Sequence, residues 1–415
     1  MSFSRFLILG GGMVAGYAAK QLVEDGLKPG ELAIVSADGT VPYERPPLSK
    51  SFLAGKDKEE NILINPENFY REHGIDLRLH CEAESLDPER NTLRLRSGEN
   101  LNFENLVVAT GAAVRKLDVP GSGLAGILYL RSLEDAKRIR ELAQSAKRAV
   151  VIGGGFIAME VSAVLAQKQI ETTMVLAEDR IWKRFFTPAM SRFFESYYTA
   201  RGVRFLKQRH VVAFRGDGAV SSTILADGEI LACDLVVAGI GVQPVTSPVA
   251  QSGIELSDGI VVNEYLETNR RGVYAAGDVA NYYDMLFRKR RRVEHWDNAV
   301  SQGQHCARIL LGNRSPFVHV PYFFSDVFDL SYEFWGDPAG AENVVERGDL
   351  TTNSFSVWWL AGEQVRAAFT MNRPDEEREA APRWIESKQP VSPERLSRSR
   401  SVTDAAEPWP AQSAG

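Results

Sequence analysis

A chain of 415 residues is too long for one ordinary core, and its 44% hydrophobic and 25% charged residues are those of a globular protein. A formal net charge of -6 argues against a general nucleic-acid binder. No apolar run is as long as a membrane span, and MSFSRF leads straight into an expected strand rather than a secretion signal, so a cytoplasmic protein with no membrane partner is expected.

In chain order, Arg5 to Leu9 (RFLIL) reads as a buried strand, Gly10, Gly12 and Ala15 as a G-x-G-x-x-A turn, and Val14 to Val23 as a helix. This is the opening of a dinucleotide-binding unit, in which glycines allow close backbone approach and the helix start offers N–H groups to a pyrophosphate. Taken alone the loop is equally compatible with glycines used for packing. A second strand, Glu31 to Ser36, stops before Asp38, a carboxylate placed for a ribose hydroxyl. The loop Val41 to Lys50 (VPYERPPLSK) follows, where three prolines stiffen the chain around Arg45 and Lys50. Those cations are either held for a ligand or are ordinary surface charges.

A short helix (Pro66 to His73) and alternating segments such as Thr92 to Arg96 come next, then a strand within Leu101 to Gly111 that closes on Ala109, Thr110 and Gly111. Leu133 to Ser145 has helical spacing. A second crossover then repeats the first, with strand Arg148 to Ile152, the loop Gly153, Gly154, Gly155, and a helix from Phe156 to Gln167. Strand Glu171 to Leu176 delivers Glu178 at about the spacing of roughly 20 residues expected for a ribose-binding acid. Two crossovers imply two dinucleotides, and Glu178 favours NADH over NADPH, softened by Arg180, Lys183 and Arg184 nearby.

Leu231 to Gly241 reads as one further strand, and Gly272 to Ala280 as a strand and turn carrying Gly277 and Asp278. Asp278 is either a ligand-facing acid or a helix N-cap. Arg288 to Arg292 (RKRRR) is either a solvated face or a docking patch for an acidic partner, and Asn298 to Leu311 is a helix. Beyond Pro321, aromatic residues crowd together without helical period, which predicts a mainly antiparallel sheet with a helix near Asp375 to Ile385. From Ser392 the composition is polar and a mobile tail is expected. Cys81, Cys233 and Cys306 form no C-x-x-C pair, so no dithiol relay is expected, and six histidines without ligand spacing suggest no metal.

With both loops, ATG and GD in this order, the chain resembles the FAD-dependent pyridine-nucleotide oxidoreductases of the glutathione-reductase class. It is similar to the branch holding oxygenase-type ferredoxin reductases, apoptosis-inducing factor and monodehydroascorbate reductase, over roughly residues 3 to 390. VPYERPPLSK is shared by the branch. TTMV, FFTPAMSRFFESYYTARGV and PYFFSDVFDLSYEFWGDP look most like monodehydroascorbate reductase, and RRVEHWDNAVSQG lies between that family and apoptosis-inducing factor.

The resemblance implies an α/β fold with two Rossmann-like domains of glutathione-reductase type and a C-terminal, mainly antiparallel α+β domain. Its boundaries would be 1–115 with 246–320 for FAD, 116–245 for NAD, 321–391 for the C-terminal domain, and 392–415 as tail. FAD would be held by Gly10, Gly11, Gly12, Met13, Val14, Ala15, Asp38, Arg45, Lys50, Thr110, Gly111, Arg131, Gly277 and Asp278. NADH would meet Gly153, Gly154, Gly155, Phe156, Ile157, Glu160, Glu178, Arg184, Gly241, Glu294 and His295. Lys50 paired with Glu160, and Trp296 close to the flavin, would tune the reaction.

Relatives that reduce the ascorbate radical hold it with an arginine and a tyrosine whose positions here are Val300 and Phe324. The expectation is therefore an enzyme passing electrons from NADH through FAD to a one-electron acceptor, an acidic ferredoxin or another iron–sulfur protein. Monodehydroascorbate or quinone reduction is the alternative, and an NADH-sensing flavoprotein like apoptosis-inducing factor is a third reading; a monomer or homodimer is expected.

Overall fold

The computed structural model describes residues 2–406, and the chain divides into two compact units. The first holds residues 1–115, 131–136 and 241–319; the second holds 116–130, 137–240 and 320–415.

Along the chain, strand β1 (Ser2–Leu9) turns through the first glycine loop into helix α1 (Met13–Glu24). Strands β2 (Leu32–Val35), β3 (Asp76–Arg78), β4 (Ala83–Asp87), β5 (Thr92–Leu95) and β6 (Asn100–Val108) follow. Next come β7 (Ile127–Leu128), β8 (Arg148–Ile152), helix α2 (Phe156–Gln167), β9 (Glu171–Val175), helix α3 (Pro188–Thr199), β10 (Val203–Leu206) and β11 (Leu235–Ala238). The chain continues with β12 (Val273–Ala275) and helix α4 (Trp296–Leu310). It ends its regular structure with β13 (Tyr322–Val327), β14 (Leu330–Gly336), β15 (Asn343–Asp349), β16 (Ser354–Ala361), β17 (Gln364–Met371), α5 (Asp375–Ser387) and α6 (Pro393–Arg398).

In the first unit a parallel core runs β3-β2-β1-β6, with β12 alongside the C-terminal half of β6. The β4–β5 hairpin pairs antiparallel with the other half of β6. Phe6, Leu7, Ile8 and Leu9 are buried without alternation, because a central parallel strand is covered on both faces. α1 and α4 pack through small residues. A Cβ at Gly303 would meet the Val14 carbonyl oxygen at 2.8 Å, so the helices approach to a distance only glycine permits.

The second unit carries a five-stranded parallel sheet, β10-β9-β8-β11-β7, and a separate antiparallel sheet, β13-β14-β17-β16-β15. Along β13 burial alternates, with Phe323, Ser325 and Val327 inward and Tyr322, Phe324 and Asp326 outward or half-exposed. α5 closes that sheet, with Trp384 5.3 Å from Trp358 between ring centres.

Three expectations change. The apolar run Leu231 to Gly241 is not one strand: Ile230–Ala232 joins a small antiparallel sheet and Leu235–Ala238 joins the parallel one. Asp234 makes the break, its carboxylate accepting the backbone N–H groups of Lys147 and Arg148 at 3.0 Å each. The helix expected from Asn298 begins at Trp296. The stretch expected to be loose from Ser392 instead folds over 392–406, where Ser392 caps α6 and Leu396, Val402 and Ala405 are buried. The buried Arg347 explains this by donating to the carbonyls of Leu396, Ser399 and Arg400 at the end of that helix. The rest of the expected tail, 407–415, lies outside the described residues.

Candidate functional site: two dinucleotide cradles

The first glycine loop is fixed by what surrounds it. Gly10 sits at φ +124°, and a Cβ there would lie 2.1 Å from the Ala109 carbonyl oxygen, which excludes every other residue. A Cβ at Gly12, by contrast, would meet nothing closer than an Arg45 nitrogen at 4.0 Å, so this side of the loop is open. Gly12 starts α1 without a side-chain cap, and no acidic residue occupies the first turn. The first N–H groups of the helix therefore face a space suited to an anion.

Arg45 stands over that space. Burial pulls its guanidinium below its ordinary value, opposed by Tyr43, Asp38 and Asp278, and it makes no salt bridge among the described residues. Its side chain donates to the Arg131 carbonyl and lies over the Tyr43 ring at 4.9 Å. Arg131 in turn pairs with Asp278 at 2.7 Å, and its guanidinium would lie 3.3 Å from a Cβ at Gly111. Asp278 thus sits in the turn after β12 as a paired acid rather than as a helix cap. Asp38 accepts Tyr43 Oη–H at 2.9 Å and the Thr40 N–H at 3.1 Å, leaving a half-buried carboxylate of fixed direction. Thr110 is tied through its hydroxyl to the Val245 carbonyl at 2.6 Å, and Gly277 donates its N–H to the buried Gln302 at 2.7 Å. Met13, Val14 and Ala15 are buried in the α1–α4 packing. A half-buried cation that makes no salt bridge among the described residues, beside an uncapped helix start, fits the pyrophosphate of a dinucleotide.

Lys50 closes the 3₁₀ turn Pro46–Ser49 and opens the short helix Ser51–Ala54, half-buried in the first unit. Trp296, the first residue of α4, donates its indole N–H to Glu44 at 2.6 Å. The other Glu44 oxygen accepts the Tyr17 hydroxyl. Burial and then Glu44 push the Tyr17 phenol well above its ordinary range. His295 is the N-cap position of α4, and Glu294 pairs with Arg292.

The second loop repeats the first. Gly153 lies at φ +119°, with a would-be Cβ 2.3 Å from the Gly239 carbonyl oxygen, and Gly155 is open on the side a Cβ would fill. α2 starts at Gly155 with no side-chain cap and no acid in its first turn. Trp182 donates its backbone N–H to the Gly154 carbonyl at 3.0 Å and packs edge-on against Phe156, which also meets Phe323. Ile157 is partly exposed at the helix start. Glu178 is exposed, while its neighbour Asp179 pairs with Lys183 at 3.0 Å and Arg180 at 3.5 Å. Arg184 lies 5.6 Å over the Phe185 ring. Gly241 falls in the first unit, where its carbonyl accepts the Arg115 N–H at 2.9 Å. Glu160 is buried in α2 and accepts the Ser325 hydroxyl at 2.5 Å.

Reading the sequence alone missed Glu44, Tyr17, Ser325, Gln302 and Gly303. Glu44 stood in plain view inside VPYERPPLSK, but nothing local announced its partners. The run RKRRR proves mixed. Arg291 pairs with Asp284, Arg292 with Asp258 at 3.2 Å and with Glu294, and Arg290 donates to the carbonyls of Val262 and Asn281. Arg288 is exposed.

The three cysteines are all thiols. Burial pushes Cys306 up to about 12, leaving it neutral and inert. Among the described residues no group of His, Cys, Asp and Glu is arranged to hold a metal ion, and no helix is long and apolar enough to cross a membrane.

Two glycine crossovers, each ending on an uncapped helix start, define a protein of the two-dinucleotide class. Residues 4–303 match the pyridine nucleotide-disulphide oxidoreductase model, and residues 322–404 match the reductase C-terminal model. The chain belongs to the pyridine nucleotide-disulphide oxidoreductase family. It is 37% identical to peroxisomal monodehydroascorbate reductase 4 of Arabidopsis thaliana, covering 93% of this chain and 83% of that protein. It is 35% identical to the monodehydroascorbate reductase of Solanum lycopersicum, covering 94% of this chain and 96% of that protein. Among solved structures, putidaredoxin reductase in covalent complex with putidaredoxin is similar over 98% of both chains, at 31% identity and a TM-score of 0.93. A ferredoxin reductase from Rhodopseudomonas palustris is similar over 98% of this chain and 100% of that one, at 32% identity and a TM-score of 0.92. The protein is accordingly an FAD-dependent NAD(P)H oxidoreductase that passes electrons to an acceptor.

Proposed function

We propose that the chain carries electrons from NADH to a ferredoxin-type iron–sulfur protein. The observation that carries this reading is the chemistry at Val300 and Phe324, where the relatives that reduce the ascorbate radical are expected to place a cation and a phenol. Val300 packs on the apolar core of the first unit. Phe324 stacks on Tyr322, with 6.2 Å between ring centres, and the Tyr322 hydroxyl is directed to Glu333 at 2.8 Å. Losing a charge-assisted contact and a hydrogen bond weakens small-anion binding by about 2–4 kcal/mol. The likeness to two reductases of redoxin or ferredoxin partners supports the same direction.

When bound, FAD would supply the redox chemistry, a hydride acceptor that can give up electrons singly. The chain binds and orients. Gly10 to Ala15 and Arg45 hold the FAD pyrophosphate, Asp38 a ribose, and Arg131, Asp278, Thr110, Gly111 and Gly277 the remainder. Gly153 to Ile157, Glu178 and Arg184 hold NADH. Lys50 is the charge that tunes the flavin, and Trp296 lines its ring.

Because Arg290, Arg291 and Arg292 are turned to partners within the first unit, docking of an acidic acceptor falls to the exposed Arg288. Replacing Arg288 with alanine should raise the KM for a [2Fe–2S] ferredoxin several-fold and flatten its salt dependence, with NADH KM unchanged. Unchanged ferredoxin KM and salt dependence would remove this patch from the account.

Reduction of the ascorbate radical is the second reading, favoured by the 37% identity to the Arabidopsis thaliana enzyme.

A further inference from the structure

The turn that carries Asp278 has no cap of its own. β12 ends at Ala275, and the 3₁₀ turn Gly277–Val279 follows from Ala276, which offers it no side-chain hydrogen bond. Gly277 sits at φ +77°, and a Cβ there would lie 2.7 Å from Val14 Cγ2, so no side chain at that position anchors the turn either. The handle left at the start of the turn is the Gly277 N–H.

Gln302 takes that handle from α4. Its side chain is fully buried, and its Oε1 accepts the Gly277 N–H at 2.7 Å. The other end of the same carboxamide, Nε2, is buried and makes no hydrogen bond among the described residues. Burying an amide donor without a partner carries a penalty comparable to what one hydrogen bond contributes. The net effect of Gln302 on stability is therefore small, and what it supplies is direction. Its own place is fixed by the next residue, Gly303, where a Cβ would meet the Val14 carbonyl oxygen at 2.8 Å. The rest of the turn is tied further on, with Arg292 Nη1–H donating to the Asp278 carbonyl at 3.0 Å and the Asp278 carboxylate paired with Arg131 at 2.7 Å.

We propose that Gln302 is a positioning residue for Asp278, an acceptor supplied by α4 that fixes the start of the Gly277–Val279 turn and so sets where the Asp278–Arg131 pair stands in the first cradle. All of these residues belong to the first unit. The inference rests on the reading that Asp278 holds part of FAD.

The test combines FAD titration of the full chain with hydrogen exchange at Gly277, read by NMR without FAD. Gln302→Met keeps the length and loses the acceptor, and should raise the FAD dissociation constant roughly tenfold. It exchanges one orphan donor for another, so the melting temperature without FAD should change little. Asp278→Ala should raise the dissociation constant further, and the double variant should match Asp278→Ala, because Gln302 acts through that turn. Joined to Asp38→Asn, whose carboxylate shares no hydrogen-bond partner with Gln302, the effect should instead add. The Gly277 amide should exchange slowly in the unmodified chain, quicken in Gln302→Met, and slow again in Gln302→Glu, which keeps an acceptor oxygen in either protonation state.

Unchanged FAD affinity in Gln302→Met, or effects of Gln302→Met and Asp278→Ala that simply add, would overturn the proposal. Fast exchange at Gly277 in the unmodified chain would overturn it even if no variant folds. FAD affinity unmoved by Asp278→Ala would overturn the placement of Asp278 in the cradle instead.

Discussion

The indole N–H of Trp296 donates to Glu44 at 2.6 Å, across 252 residues of sequence, and the same carboxylate takes the Tyr17 hydroxyl. One side chain of the proline loop thereby ties the helix after the first glycine loop to the first residue of α4. Replacing Glu44 with alanine leaves two half-buried donors without their acceptor, which should cost about 2 kcal/mol. The Trp296 emission should shift to the red and the Tyr17 phenol should titrate nearer its ordinary range, with Glu44→Gln milder in both. Unchanged emission and titration would mean that Glu44 does not hold these groups.

Arg45 is a half-buried cation that makes no salt bridge among the described residues. If the pyrophosphate of FAD completes it, Arg45→Met should weaken FAD retention by about 2 kcal/mol, roughly a 30-fold rise in the dissociation constant. The apoprotein of that variant should melt no lower than the wild-type apoprotein, since removing a half-buried charge with no salt-bridge partner relieves desolvation. Equal FAD affinity in the two proteins would contradict the assignment.

Coenzyme choice depends on Asp179 as well as Glu178. Asp179 engages Lys183 and Arg180, the cations that could otherwise meet a 2′-phosphate. Changing Glu178 to alanine removes the repulsion, and changing Asp179 to asparagine releases the cations. The pair of substitutions should raise the NADPH-to-NADH ratio of kcat/KM by about tenfold or more, about 1.4 kcal/mol, with most of the gain absent in Asp179→Asn alone. Steady-state rates with both coenzymes check it.

The segment 392–406 is held by Arg347, which also pairs with the buried Glu377 at 3.3 Å. Burial alone would raise the Glu377 carboxyl, but hydrogen bonds from Arg373 and Ser356 and the nearby arginines outweigh it and hold the group below its ordinary value. A carboxyl depressed in the folded protein contributes stability above its unfolded value of about 4.3 that is lost as pH falls through the folded value. The C-terminal segment should therefore gain hydrogen exchange below about pH 4, and Arg347→Met should expose it at neutral pH with a loss of about 3 kcal/mol.

Both glycine loops could be read from sequence because Gly10 and Gly153 obey a local rule, a left-handed φ with a carbonyl oxygen where a side chain would go. Asp38, Arg45 and Asp278 were legible for a related reason: each sits at the end of a strand or in a stiffened loop. Ser325 was not, since its partner is 165 residues away and serine on an aromatic strand carries no signal of its own. The start of α4 was hidden because its cap position is His295, which offers no capping hydrogen bond. Composition misled at both ends of the charge scale. RKRRR looked like one surface but three of its arginines serve contacts within the first unit, and the polar stretch after Ser392 looked loose but is gripped by Arg347.

The most direct measurement is anaerobic NADH oxidation by the FAD-bound protein with two acceptors in parallel, a [2Fe–2S] ferredoxin reporting through cytochrome c and enzymatically generated ascorbate radical. The account predicts saturable, salt-sensitive turnover with the ferredoxin and little above background with the radical. Rapid radical-dependent turnover with no response to ferredoxin would contradict it, and would mean that Val300 and Phe324 do not exclude the small anion.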